Sequence, residues 1–393
     1  MFFLLALLFL PVEPNQAVTL LQHGLVALQQ GQTQQARADL EQASRFDSKN
    51  PYIWSSLAEV YLHLQEPKLA SSAADQAATL GGTNPIVCHA LAMYYSEAGQ
   101  PARAAEFEER FAESTKADPD AMARAATLYL DSDDKEKALP LAQKAQQQHP
   151  SAPTEYLLAR ALLANGKPDD AAGHLHTAWQ TDPHDSQIAF DWGQLLLRKG
   201  DATGAADAFE TALTAHPDDA QLTLALGVAR YGQRRFDEAI SIFLKVIGID
   251  PGIEQPYLFL GRMLDQANTR LPEITKDYET WLARDPGNAK ASSLLAKARL
   301  AADGSDQTAE SLLRNSIRLA PDNWESHYEL GVLLETKQQY KEACNELVRG
   351  VELDPKQAMS HYHLARVYAR LGEPERAKAE REIHQKLTTQ KGQ

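Results

Sequence analysis

Large, mostly apolar residues recur along this chain in sets spaced by three and four, each set enclosing one small residue. Examples are Trp54, Leu57, Ala58 and Tyr61; Cys88, Leu91, Ala92 and Tyr95; Tyr257, Leu260, Gly261 and Leu264; His327, Leu330, Gly331 and Leu334; His361, Leu364, Ala365 and Tyr368. Those spacings put each set on one face of a helix. A second regularity overlays the first. Alanine returns at Ala36, Ala70, Ala104, Ala138, Ala171, Ala205, Ala239, Ala309, Ala343 and Ala377, with Ile274 in the one gap, and seven of the ten intervals are 34 residues long. A period near 34 predicts stacked pairs of helices rather than several unrelated domains. The small residue of the first helix and the alanine of the second face each other, since bulk at either place would force the pair apart.

Turn chemistry supports the same division. Glycine stands between the two helices of a pair at Gly31, Gly99, Gly166, Gly200 and Gly372, where a left-handed backbone ends a helix. Proline follows two residues later at Pro67, Pro101, Pro168 and Pro374, a first-turn position at which its missing N–H costs nothing. Each second helix then closes before a proline, as at Pro150, Pro183, Pro217, Pro251, Pro286, Pro321 and Pro355.

Numbering each unit so that its alanine is position 20 places apolar or aromatic residues at 4, 7 and 11 and a small one at 8. This pattern resembles the tetratricopeptide repeat, most faithfully around Trp192, Gly193, Ala205, Phe209 and Pro217, and around Leu226, Gly227, Ala239, Phe243 and Pro251. The resemblance implies an all-α fold, an α-solenoid with a right-handed superhelix, built from about eleven helix-turn-helix repeats across residues 17–387. A segment of residues 1–16 precedes the array and a tail of residues 388–393 follows it. Irregularity is expected in the eighth unit, with its longer turn from Asn268 to Leu271 and Ile274 in place of alanine, and in a loose connection from Ala301 to Asp306. Pro140 inside a second helix should kink it. The last helix carries Arg381 and His384 where other units are apolar, as a solvated terminal cap would.

Composition narrows the function classes. Hydrophobic residues make up 44% and charged residues 23% of the chain, so it should be folded throughout. The formal charge of −14 opposes binding to a phosphate backbone, and nucleic acid is not an expected partner. Two cysteines, Cys88 and Cys344, are too far apart in an extended stack for one disulfide. The run from Phe2 to Leu10 is apolar throughout, long enough for a signal-peptide core and too short to span a bilayer. Export, to the periplasm or to a membrane tether, is the first reading, and membrane contact is confined to residues 1–16. Cytoplasmic residence, with the run packed as a cap on the first hairpin, is the alternative; no Lys or Arg precedes the run.

No catalytic or cofactor chemistry emerges. His174 and His176 stand two residues apart, roughly 200° around a helix, as do His361 and His363, so neither pair converges on a metal. No Gly-rich phosphate loop follows a strand. The chain is read as a non-enzyme without cofactor. What remains is the face of each first helix beside the core stripe, at positions 2, 5, 9, 12 and 13. In the proteins this chain resembles, that stripe lines the inner groove and binds extended or helical peptides. Carried over, it comprises Tyr156, Phe190, Tyr328 and Tyr362 at position 5, Arg160, Gln194, Arg262 and Arg366 at position 9, and Arg198 and Arg370 at position 13, with Leu224, Val228 and Tyr231 in the seventh unit. Aromatic rings beside Arg suit a peptide's apolar side chains and carboxylates; packing of the aromatics on the next repeat is the competing role. Position 9 never holds Asn, so the clamp by which some members hold chaperone tails is not supported. The expected partner is a protein or peptide. Val18, Leu21, Leu25 and Leu28 of the first unit suit contact with the N-terminal segment or with a second copy. An assembly subunit acting through its outer surface, or an accessory to a separate enzyme, are the rival readings.

Overall fold

The computed structural model describes residues 16–116 and 118–390. The apolar run of residues 2–10 and the end of the C-terminal tail lie outside the described residues. Among the described residues all regular structure is helical, in 22 α-helices and two short 3₁₀ turns. The chain divides into two compact units, one ending at Leu195 and the other beginning at Leu196. The first holds α1 (Gln16–Gln29), α2 (Thr33–Phe46), α3 (Pro51–His63), α4 (Pro67–Gly81), α5 (Pro85–Glu97), α6 (Pro101–Ser114), α7 (Pro119–Asp131), α8 (Lys135–Gln148), α9 (Ala152–Ala164) and α10 (Pro168–Thr181). The division falls inside α11 (Ser186–Arg198). The second holds α12 (Ala202–Leu213), α13 (Ala220–Gly232), α14 (Phe236–Ile249), α15 (Gln255–Arg262), α16 (Leu271–Arg284), α17 (Ala289–Ala302), α18 (Thr308–Leu319), α19 (Trp324–Thr336), α20 (Tyr340–Leu353), α21 (Ala358–Leu371) and α22 (Pro374–Gln390). Each unit is an all-α solenoid of helical hairpins.

The recurring alanines are the packing points. All ten, and Ile274, are 0% exposed. Opposite them, a Cβ added to Gly227 would lie 2.7 Å from Cε1 of Phe243, and one added to Gly331 would lie 2.6 Å from Cγ of Leu347. Position 8 is therefore small because the partner helix already occupies its space.

Local sequence sets the ends. Several first helices start at an Asn or Asp cap: Asn50 accepts from the Tyr52 N–H, Asn84 from those of Ile86 and Val87, and Asp219 from those of Gln221 and Leu222. The turn within most hairpins takes one left-handed residue, and glycine supplies it at φ +71° in Gly31 and +80° in Gly372; the turn at residues 303–307 has none. Where glycine is missing the same turn persists, with Gln65, Asp133, Arg234 and Gln338 held at φ between 58° and 62°. Packing of the flanking helices overrides a local preference there, at about 1 kcal/mol each.

The expected irregularities are partly present. In the eighth unit α15 stops after 8 residues, and two 3₁₀ turns, Leu264–Gln266 and Asn268–Arg270, replace its last turns before α16. In the ninth, the sequence expectation of a loose connection is corrected: Ala301 and Ala302 continue α17, and the turn is confined to residues 303–307. The Asp303 and Asp306 carboxylates brace it by accepting the Ser305 and Thr308 N–H groups at 2.9 and 2.7 Å. α8 runs unbroken through Pro140. Leu21, expected on an interaction face, is 4% exposed and belongs to the core, whereas Val18 is 41% exposed. α22 buries Ala377 and leaves Arg381 exposed, as a terminal helix would. No described helix is long and apolar enough to cross a membrane.

Candidate functional site

The first unit carries a trough of about 680 Å³ across α5, α7 and α9, the first helices of three successive hairpins. Ala92, Ala123, Leu128 and Leu157 contribute apolar surface, and Met93, 49% exposed, stands along one side. Arg124, Arg160 and Asp120 supply charge, His149 lines the trough beside them, and Thr127 lies among them with its hydroxyl donating to the Ala123 carbonyl at 2.9 Å. Helical register explains the grouping: Met93, Thr127 and Arg160 all occupy position 9, and His89, Ala123 and Tyr156 all occupy position 5.

Two arginines in this trough differ in kind. Arg124 donates through Nε to Glu108 at 2.6 Å, and Glu108, on the second helix α6, is only 3% exposed. The His89 ring lies 3.4 Å from the same carboxylate. Burial works to raise the Glu108 carboxyl, and the His89 ring and the Arg124 guanidinium outweigh it, holding the group below the usual carboxylate range. Arg160 is half-buried over the Tyr156 ring, 5.8 Å from its centre, with no carboxylate in ion-pair reach among the described residues. Tyr156 is itself fixed, its hydroxyl donating to Asp191 at 2.7 Å; burial and that carboxylate push its pKa up.

The second unit has a trough of similar size, about 690 Å³, over α15, α17 and the start of α19. Its cations are Arg262, Lys290 and Lys297, facing Glu254, Asp285, Asp322 and Glu325. Lys290 meets Glu254 at 2.7 Å and Lys297 meets Glu329 at 3.5 Å. Burial raises the Glu329 carboxyl, which Lys297 opposes only in part. Arg262 is exposed and lies 5.7 Å from the centre of the Phe259 ring. Towards the C-terminus, Glu335, 7% exposed at its side chain, accepts from the His363 Nδ1 at 2.7 Å and meets Arg366 Nε at 3.0 Å.

The remaining residues singled out in the sequence divide by these contacts. Leu224, Val228 and Tyr231 pack onto the core of the second unit, and Tyr231 meets the Phe236 and Phe259 rings at 5.7 and 5.4 Å. Tyr328 is half-buried, edge-on to His363 at 5.7 Å. Tyr362, 39% exposed, lies against His363 and His384 and under Arg366, whose guanidinium is 5.6 Å from its ring centre. Tyr328 thus packs between the neighbouring first helices α19 and α21, whereas Tyr362 packs against its own helix and α22. Phe190 and Gln194 are half-buried on α11; Arg198 and Arg370 are exposed at helix ends. Of the whole set, Tyr156 and Arg160 share the first trough. Met93, His89, Arg124 and Glu108 belong to it and were not singled out; Met93 and His89 share positions 9 and 5 with Arg160 and Tyr156, while burial of Glu108 has no local signature. Among the described residues no group of three His, Cys, Asp or Glu side chains is placed to hold a metal ion.

Helical hairpins registered on buried small residues define a class of repeat scaffold. Tetratricopeptide repeat models match residues 21–85, 156–209, 190–252 and 293–358, and a further one residues 358–382. These matches span more than half the chain, which belongs to the tetratricopeptide repeat family. No curated protein matches the sequence. Similar solved structures include yeast Tom70, at 15% identity, 94% of this chain, 92% of that one and a TM-score of 0.42. They also include the APC/C hetero-tetramer Cut9-Hcn1, at 17% identity, 95% and 94% coverage and a TM-score of 0.45. In Naa15/Naa10 bound to HypK-THB the figures are 16% identity and a TM-score of 0.43, and 95% of this chain spans 64% of the length of the matched chain.

Proposed function

We propose that this chain is a non-catalytic protein-binding scaffold whose first unit takes a peptide segment of a partner protein in the trough over α5, α7 and α9. The observation that carries this reading is Arg160. An arginine ordered on an aromatic ring, without an anion of its own and beside apolar surface, is suited to a carboxylate that neighbours an apolar side chain. Exposed Met93 adds an adaptable apolar contact. The expected occupant is therefore a segment with an acidic residue close to an apolar one. The net charge of −14 opposes a polyanion such as nucleic acid, and the cations gathered in the trough would admit a single acidic residue against that field. The apolar run of residues 2–10 supports placing the scaffold in the cell envelope, exported or tethered.

Site-specific photo-crosslinking in cells tests the site. A crosslinker at Thr127, in the trough, should capture a partner, and Arg160→Glu should reduce that capture at least about tenfold, the equivalent of about 1.4 kcal/mol. Capture only from Lys144, exposed on the second helix α8, would move the interaction to the outer surface and overturn the proposal. Fractionation of a tagged full-length chain checks location; a purely cytosolic, full-length product would rule out export.

A further inference from the structure

A hydrogen bond recurs at position 4 of the repeats in both units. Its side chain donates to the carbonyl six residues earlier, in the loop that enters the first helix. Trp54 bonds Ser48 at 2.8 Å and Cys88 bonds Gly82 at 3.2 Å; Tyr257 bonds Pro251 at 3.3 Å, His327 bonds Pro321 at 3.1 Å and His361 bonds Pro355 at 3.0 Å. Four chemically different side chains fill one role, which is to donate to the carbonyl of the loop that enters the first helix.

In the last two repeats the donor is histidine, and its other nitrogen also faces an acceptor. His327 Nδ1 lies 2.6 Å from Glu346, and His361 Nδ1 lies 2.5 Å from Glu380; each glutamate stands 19 residues on, at position 23 of the repeat, on the second helix. The rings are 6% and 3% exposed. A neutral imidazole has one N–H and cannot donate to a carbonyl and a carboxylate together. The His327–Glu346 pair must therefore hold a second proton, on Nδ1 or shared with the carboxylate. The fifth repeat shows the converse arrangement, Glu155 at position 4 and His174 at position 23, 2.7 Å apart, and its half-exposed ring needs no second donor to a backbone carbonyl.

We propose that the pair His327–Glu346 is a proton-dependent latch that closes the tenth hairpin, α19–α20, and releases it as pH rises. The charges facing His327 are Glu346 and Arg349 of α20, with the Pro321 carbonyl from the preceding loop. Glu380 of α22 and the Pro355 carbonyl face His361, while His384 of α22 is turned to the Ala358 carbonyl and His363 to Glu335. For His327 the hydrogen bond to Glu346 raises the pKa against the opposing effect of burial. The sign follows: stability from a raised histidine is complete below its unfolded value, about 6.5, and is lost as pH climbs through the folded value.

The test uses the full chain. Ring nitrogen NMR at pH 6 should show two N–H groups on His327. Between pH 6.5 and 9, amide protection in α19 and α20, corrected for intrinsic exchange, should fall by up to about tenfold per pH unit for the proton released. The variant His327→Tyr keeps the position-4 bond in the manner of Tyr257 and should lose this pH dependence. A single N–H on the His327 ring at pH 6, pH-independent protection of the wild type, or wild-type pH dependence in the variant would overturn the proposal. The NMR result stands without the variant folding.

Discussion

Arg160 in the first unit and Arg366 in the second occupy the same repeat position, on the same kind of helix, over a tyrosine at 5.8 and 5.6 Å from the ring centre. Arg366 is bound to the buried Glu335, which also holds His363. Arg160 has no carboxylate within reach among the described residues, because the residue equivalent to Glu335, at position 12 of the preceding repeat, is Leu130. One substitution of apolar for acidic side chain thus separates a cation spent on holding two repeats together from one left for a ligand. The two troughs differ in their lining rather than in having a free arginine. Arg160 lies beside apolar surface, while Arg262, also without a carboxylate in ion-pair reach among the described residues, shares its trough with Lys290 and Lys297 and with Glu254, Asp285, Asp322 and Glu325.

The largest effect should come from the scaffold both units share. Gly227→Trp drives a ring into Phe243 and should destabilise the second unit by about 3 kcal/mol or more, seen in denaturant melts and in lost amide protection of α13 and α14. Protection in the first unit reports whether the two units open separately; a variant as stable as wild type would mean that position 8 does not set the hairpin spacing.

The arginine comparison predicts a crossed result of intermediate size. Arg366→Glu places a second carboxylate beside Glu335 and should lower stability by about 1–2 kcal/mol while leaving crosslinking from Thr127 intact. Arg160→Glu should do the reverse, with stability within about 0.5 kcal/mol of wild type and capture lost. Equal effects of the two variants on both readouts would erase the distinction between the units.

The smallest expected effects lie in the turns. Gln65→Gly and Asp133→Gly in the first unit, and Arg234→Gly and Gln338→Gly in the second, should each stabilise by up to about 1 kcal/mol, since glycine relieves the left-handed strain at some entropic expense. Urea melts of the single variants decide it. Destabilisation at Asp133 alone would single out a side-chain role there.

Much of the fold was legible because repetition turns a weak local signal into a register. The alanines located every hairpin, including the eighth, where Ile274 still marks the buried point although α15 is cut short. The same register drew Met93, Thr127 and Arg160 into one row. The connection at residues 301–306 was misjudged because Ala301 and Ala302 are good helix formers whose propensity outlasted the repeat boundary. Pairings such as His327–Glu346 follow a 19-residue offset, visible once the helices are known to face each other.

What the sequence determined by itself is the class of structure: spacing of three and four, a period of about 34 residues, and small residues where helices cross leave few alternatives to stacked hairpins. Which charges are free is a different question. Glu108, Glu329 and Glu335 carry the same side chain as many solvated glutamates in this chain, and only the packing of neighbouring helices buries them and gives them cations. Desolvation and ion pairing depend on distances across helices that no local pattern encodes; the sequence marked Tyr156 and Arg160, but which cations are left unpaired emerged only from the tertiary structure.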